Sequence, residues 1–183
     1  MIIKSRLHWA FWMMVICLSG SVYGQKKKWS EEDVTRANET IEAFKNENKK
    51  INAFFESSIG YAVFPSIGKG GVGIGGAHGK GTVYEADKPI GGTRMTQITV
   101  GFQFGGQAYS EIIFFQNQQT LNDFTQGNFE FSAQATAVAL DARAEIDVPY
   151  ENGVAVFTMA KGGLMYEASI GGQKFKFIPA AEE

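Results

Sequence analysis

The chain has one cysteine and two histidines in 183 residues. Cys17 lies in an N-terminal stretch that reads as a removable leader. No disulfide framework, thiol nucleophile or cysteine-based metal site is therefore expected downstream. His8 falls in the same stretch, which leaves His78 as the one imidazole of the remaining chain. A lone histidine builds no metal centre, and no G-x-S-x-G elbow offers it a serine to activate. A formal charge of −2 argues against a general nucleic-acid binder. The longest apolar run, Trp9 to Leu18, is too short for a comfortable membrane span. What the chain has in abundance is glycine, 22 residues of it, much of it in two related phrases.

Those phrases are GYAVFPSIGKGGVGIGGAHGKGTVYE, from Gly60 to Glu85, and GVAVFTMAKGGLMYEASIGG, from Gly153 to Gly172. Each carries Ala-Val-Phe and then Lys-Gly-Gly, and the gap between the two motifs differs by one residue. Dense glycine disfavours a helix interior and suits turns, bulges and closely approached backbone. A nucleotide-binding reading fails on context. Gly71, Gly73 and Gly76 fit G-x-G-x-x-G, but the following GKGTVYE reads as a strand, not as a helix that would hold a pyrophosphate. Near Lys80 a P-loop also fails, because Ile74 replaces the first glycine and Gly81 the magnesium-binding hydroxyl residue.

Residues 1–24 read as a signal peptide: Lys4 and Arg6, an apolar core, then Val22-Tyr23-Gly24. Cleavage near Gly24 predicts an exported protein, periplasmic or outer-membrane-associated. Retention as an N-terminal anchor is the alternative. Loss of Lys4 and Arg6 takes the formal charge from −2 to −4. Residues 25–29, QKKKW, form a basic leader, either a solvated lead-in or an anchor for anionic headgroups through Lys26, Lys27, Lys28 and Trp29.

Ser30 followed by Asp33 predicts a capped helix start, and Val34, Ala37, Ile41 and Phe44 recur on one face. Asn46 to Lys50 interrupts the stripe before Ile51, Phe54 and Phe55 resume it. Two helices, or one bent helix, are expected to end near Ser58 with the apolar face on a sheet. Strands are expected near 61–64, 71–77, 81–86, 95–104 and 107–115, the last two joined as a hairpin at Gly105-Gly106. A short helix follows at Thr120 to Gln126, stopped by Gly127. Residues 129–148 read as a strand with a bulge. Its apolar set moves from Phe129, Phe131, Ala133, Ala135 and Ala137 to Val138, Leu140, Ala142, Ala144 and Ile146. Strands near 153–159, 164–170 and 173–178 close the chain, with turns at Gly162-Gly163 and Gly171-Gly172. The fold class is α+β: a strongly curved, mostly antiparallel, barrel-like sheet with an N-terminal helical segment and one short additional helix.

Asp141, Glu145 and Asp147, with Arg143 among them, read as a solvated strand face rather than a carboxylate pair. No nucleophile, base and oxyanion hole assemble, so the protein is expected not to be an enzyme and to need no cofactor or metal. Lys69, Lys80 and Lys161 stand beside glycines whose backbone N–H groups can form anion-binding concavities. They suit phosphate headgroups, or are ordinary solubilising turn residues.

At these phrases, together with TQITVGFQFGGQAYSEIIFF and FTQGNFEFSAQATAVAL, the sequence resembles the SYLF family of lipid-binding domains over most of Tyr61 to Phe177. The resemblance implies binding of phosphoinositide or acidic lipid and, in some fungal members, actin. It also implies lipid contact through an amphipathic N-terminal helix and basic residues. Lys26 to Phe55 occupies that place here, with an acidic start at Glu31, Glu32 and Asp33. Bacterial relatives are commonly single-domain exported proteins, so residues 30–183 are expected to form one such domain. The reading is a non-catalytic lipid-binding protein of the cell envelope, engaging anionic lipid at a membrane surface. Its lipid-binding residues would be Lys26, Lys27, Lys28, Trp29, Lys69, Lys80 and Lys161. The alternatives are an envelope protein-interaction or scaffold module without lipid dependence, and a carrier that holds an acyl chain inside the sheet. Neither nucleic acid nor nucleotide is an expected partner.

Overall fold

The computed structural model describes residues 29–101, 106–132, 135–143, 146, 148–161 and 168–180. The signal-peptide reading and Lys26–Lys28 lie outside these residues.

Helix α1 spans Glu31–Glu47. Its start is fixed by Asp33, whose carboxylate accepts hydrogen bonds from the Ser30 N–H and hydroxyl, both at 3.1 Å. Glu31, Glu32 and Asp33 also complement the positive end of the helix. The expected apolar stripe is the buried one: Ala37, Ile41 and Phe44 are covered. Asn48 ends α1 and caps a 3₁₀ turn at Lys49–Ile51, which leads into α2, Asn52–Ser57. Helix α3, Gln118–Thr125, is capped by Asn117 and stops before Gly127, whose φ of +78° favours glycine.

The strands are β1 Gly60–Glu85, β2 Lys88–Gly101, β3 Gly106–Phe115, β4 Thr136–Ala139, β5 Val154–Ala160, β6 Ala168–Ser169 and β7 Lys174–Pro179. They form one sheet in the order β6-β4-β5-β3-β1-β2-β7, with every pairing antiparallel except β4 with β5. β1 folds back on itself. Its first arm pairs with β3 and its second with β2, while the Ala86 N–H donates to the Ile59 carbonyl at 3.1 Å. The fold-back passes through Gly71, at φ +153°. The arms lie so close that a Cβ on Gly60 would sit 2.3 Å from the Tyr84 carbonyl oxygen.

The two Ala-Val-Phe phrases flank β3. Val63 and Phe157 both stand opposite Ile112. The one-residue difference in their gaps is the register shift between Phe64 and Ile67, where three steps along β1 match two along β3.

Three expectations change. The strands near 95–104 and 107–115 are not a hairpin pair, because both arms of β1 lie between β2 and β3. Among its described residues, the segment 129–148 contributes β4 and a bridge between Glu130 and Lys174, and Asp141 to Arg143 lie in a loop. Its shift of apolar face needs no bulge. Ala137 packs on one side of the sheet and Val138 and Leu140 on the other, so plain alternation with both faces covered explains it. The sheet is open, with β6 and β7 at its edges, so the barrel-like closure is not what the strand order describes. The turn at Gly162-Gly163 and most of the strand expected at 164–170 lie outside the described residues.

Both faces of the central strands are buried, which is why β3 reads as the unbroken run Ile112-Ile113-Phe114-Phe115. On the helix face, Tyr61, Val63, Ile112, Phe114 and Phe157 meet Phe44, Ile51 and Phe54. On the opposite face, Phe64, Ile113, Phe115, Val156 and Phe175 meet Leu121 and Phe124 of α3. Full burial of such side chains stabilises by roughly 1.5–3 kcal/mol each.

Candidate functional site

Strand alternation places Lys80 and Thr82 on the helix face, since Ala77 and Val83 point to the other core. Lys80 stands opposite Arg94, and Arg94 opposite Lys176. The next rung is His78, Thr96 and Lys174. Like charges directly opposite each other destabilise a sheet. A cationic row across three strands is therefore an arrangement the fold tolerates rather than one that holds it together. Lys80 and Lys176 are exposed, Arg94 is half-buried, and Lys174 meets Glu130 at 3.3 Å.

Beside this row, the start of α1 and the second arm of β1 enclose a cavity of about 240 Å³. Arg36, His78 and Lys80 line it, with Ser66 from the β1 bulge and Asp33. The row and the cavity together present a concave surface of net positive charge. Phosphate or carboxylate groups suit it.

The residues singled out in the sequence do not all converge. Trp29 is half-buried against the sheet. Its indole N–H donates to the Thr82 hydroxyl at 3.1 Å, and a Cβ on Gly92 would fall 2.7 Å from its ring. It seals the helix start onto β1 and β2. Lys69 follows Ile67 in regular register and so lies on the opposite face from Lys80. Burial pulls its ammonium below the usual lysine range. Lys161 is exposed just beyond β5, where its N–H donates to the Ala108 carbonyl at 2.9 Å. Lys69 pairs with Gln107, so Lys69 and Lys161 share one end of the sheet on either side of β3. Arg36, Arg94, Lys174 and Lys176 were missed in the sequence. The signal was present in the alternation of KFK at 174–176, but it gains meaning only once β7 is known to pair with β2.

The helix face has one further property. Ile74 and Ile98 are 71 % and 80 % exposed. Both lie on the Lys80 face, toward the fold-back end of the ribbon.

Two other features belong to the opposite core. A cavity of about 470 Å³ lies between residues 129–138 and the start of β5, lined by Phe129, Phe131, Ala135, Ala137, Val154 and Val156, among others. Glu111, on β3, is fully buried. Its Oε2 accepts from the Gln173 side-chain amide at 3.1 Å, and the same amide donates to the Tyr109 hydroxyl at 3.3 Å. Burial pushes the Glu111 carboxyl up to about 8 and the Tyr109 hydroxyl well above its usual range. Glu111 is buried in the core and is not among the described residues lining either cavity.

Among the described residues, no group of three histidine, cysteine, aspartate or glutamate side chains could hold a metal ion. No described helix is long and apolar enough to cross a membrane. Asp141 accepts from the Arg143 N–H at 2.7 Å in an exposed loop.

Residues 96–180 match the Ysc84 family, described as Las17-binding protein actin regulator. This part of the chain is similar to the Ysc84-type, or SYLF, domain. A further relative is Beta cell expansion factor A of Aeromonas veronii, 27 % identical over 139 residues, which cover 71 % of this chain. The chain spans about half the length of that relative, 50 %. The Ysc84 match begins at Thr96, within β2, and runs through β7, and so includes Ile98, the strand β3 with Glu111 and both lysines of β7.

Proposed function

We propose that this protein is a non-catalytic lipid-binding protein of the cell envelope that engages anionic lipid headgroups at a membrane surface. The observation that carries the reading is the cationic row Lys80, Arg94 and Lys176, flanked by Lys174 and by the cavity of Arg36 and His78. The SYLF resemblance and the Ysc84 match support it at the level of family. Lys26, Lys27 and Lys28 of the leader add attraction from the same chain, and Lys69 and Lys161 add it at the sheet end. The leader at residues 1–24 supports export, to the periplasm or the outer membrane.

Each lysine near an anionic surface is worth about 1 kcal/mol at low ionic strength. Replacing Lys80 and Lys176 together by alanine is thus expected to lower partition onto anionic vesicles roughly 30-fold. Both side chains are exposed, so the fold is left intact. Co-sedimentation with vesicles containing phosphatidylglycerol measures this. Unchanged partition of the double variant would reject the row as the lipid-contacting surface.

The larger cavity favours a second reading, a carrier of one alkyl chain. Its volume falls in the range of small-molecule sites, roughly 300–1,000 Å³, and its deeper lining is apolar. Native mass spectrometry of the purified protein tests it, since a carrier retains a co-purified lipid. The description of the Ysc84 family as protein-binding supports the remaining alternative, an envelope protein-interaction module.

A further inference from the structure

We infer that the fold-back end of the β1–β2 ribbon enters the acyl region of an anionic bilayer, with Ile74 and Ile98 as the inserting side chains. The inference rests on the surface reading above and assigns it a depth and an orientation.

Two large aliphatic side chains with most of their surface in water are costly unless something covers them. Ile74 pairs with Val100 and Ile98 with Gly76, so the two isoleucines are diagonal neighbours on one face. Gly76, opposite Ile98, has no side chain to shield it. The start of α1 contacts the sheet at Thr82, whose hydroxyl donates to the Asp33 carbonyl. α1 reaches the ribbon from Thr82 as far as the cavity it shares with His78, and the exposure of Ile74 and Ile98 shows that it leaves them uncovered.

The charges are spaced to match a membrane boundary. Behind the Gly76–Ile98 rung come His78, Thr96 and Lys174, about 7 Å back, and then Lys80, Arg94 and Lys176, about 13 Å back. An apolar element seated about 5–10 Å into the headgroup boundary would leave these cations among the phosphates. No described acidic side chain stands on the Lys80 face of the ribbon between Ile74 and Lys80, or between Arg94 and Ile98. Lys174 is paired with Glu130, so the net positive charge lies in the second rung, Lys80, Arg94 and Lys176, and a cationic band behind an apolar tip favours an anionic bilayer over a protein surface as the occupant. A second copy of the chain remains as an outcome that the test separates.

The absence of cysteine after Cys17 allows a single reporter to be placed. Ile98→Cys carries an environment-sensitive nitrobenzoxadiazole label, and Gln119→Cys on α3 is the control. Both are mixed with phosphatidylglycerol vesicles, with and without doxyl groups on the acyl chains. The expected result is a blue-shifted, brightened signal at position 98, quenched by the doxyl lipids, and no change at position 119. The double variant Ile74→Ser, Ile98→Ser should also lose vesicle partition by at least about 30-fold while keeping its circular dichroism spectrum. Vesicle binding with an unquenched label at position 98 overturns insertion and leaves the surface reading standing. No vesicle binding by the parent protein overturns both. A self-association that the double serine variant abolishes without vesicles assigns the tip to a second copy and also overturns insertion.

Discussion

Glu111 makes stability depend on pH in a direction opposite to that of most carboxylates. In the folded protein its proton is held to about pH 8, because burial removes the carboxylate from water and one amide hydrogen bond from Gln173 only partly compensates. In the unfolded chain the same group releases its proton near its ordinary value of 4.5. Between those two values the unfolded state binds fewer protons than the native state, so stability falls as pH rises. The fall is complete once pH passes about 8, where both states are ionised. A shift from 4.5 to about 8 corresponds to about 5 kcal/mol at 1.36 kcal/mol per unit. That is comparable to the whole stability of many domains. Glu111→Gln keeps the shape and the acceptor for Gln173 but removes the ionisation. Urea unfolding of the parent and the variant at half-unit steps from pH 4.5 to 9 isolates this group by difference. The parent should lose several kcal/mol relative to the variant across that window. Parallel pH profiles for the two proteins would refute the assignment of a buried, protonated Glu111.

Other consequences are local. Gly60→Ala places a methyl group against the Tyr84 carbonyl and is expected to cost at least about 1–3 kcal/mol, read from the urea midpoint. Phe157→Ala removes a ring fully buried between Phe54 and Phe114 and is expected to cost about 3–5 kcal/mol by the same assay. Trp29→Phe keeps the packing over Gly92 but loses the bond to Thr82. A loss of about 1 kcal/mol is expected, with thermal unfolding as the readout.

How far the sequence could be read depended on whether a feature was local. The N-terminal helices were legible because Ser30, Asp33 and the 37–41–44 stripe are written within a few turns. The same holds for α3 with Gly127 behind it. The pairing of β2 and β3 was misread because Gly105-Gly106 is a local turn signal, whereas the insertion of β1 between those strands is a matter of topology. The strand expected over residues 129–148 shrinks, among the described residues, to β4, and a bulge was invoked because a second buried face was not anticipated. Among the site residues, Lys80 was visible beside its glycines. Arg94 and Lys176 were not, because only cross-strand register puts them in one row. Ile74 and Ile98 were hidden for the same reason: in sequence they look like ordinary strand residues, and their exposure follows from what fails to cover the ribbon end.

The central claim is that this surface meets anionic lipid, and vesicle flotation tests it most directly. The protein from Gln25 onward is mixed with neutral phosphatidylcholine vesicles or with vesicles containing phosphatidylglycerol, at low and high salt. The account predicts flotation with the anionic vesicles at low salt, weakened at high salt as screening removes the cationic contribution. Failure to float with either vesicle, or equal flotation with both at every salt concentration, would contradict it.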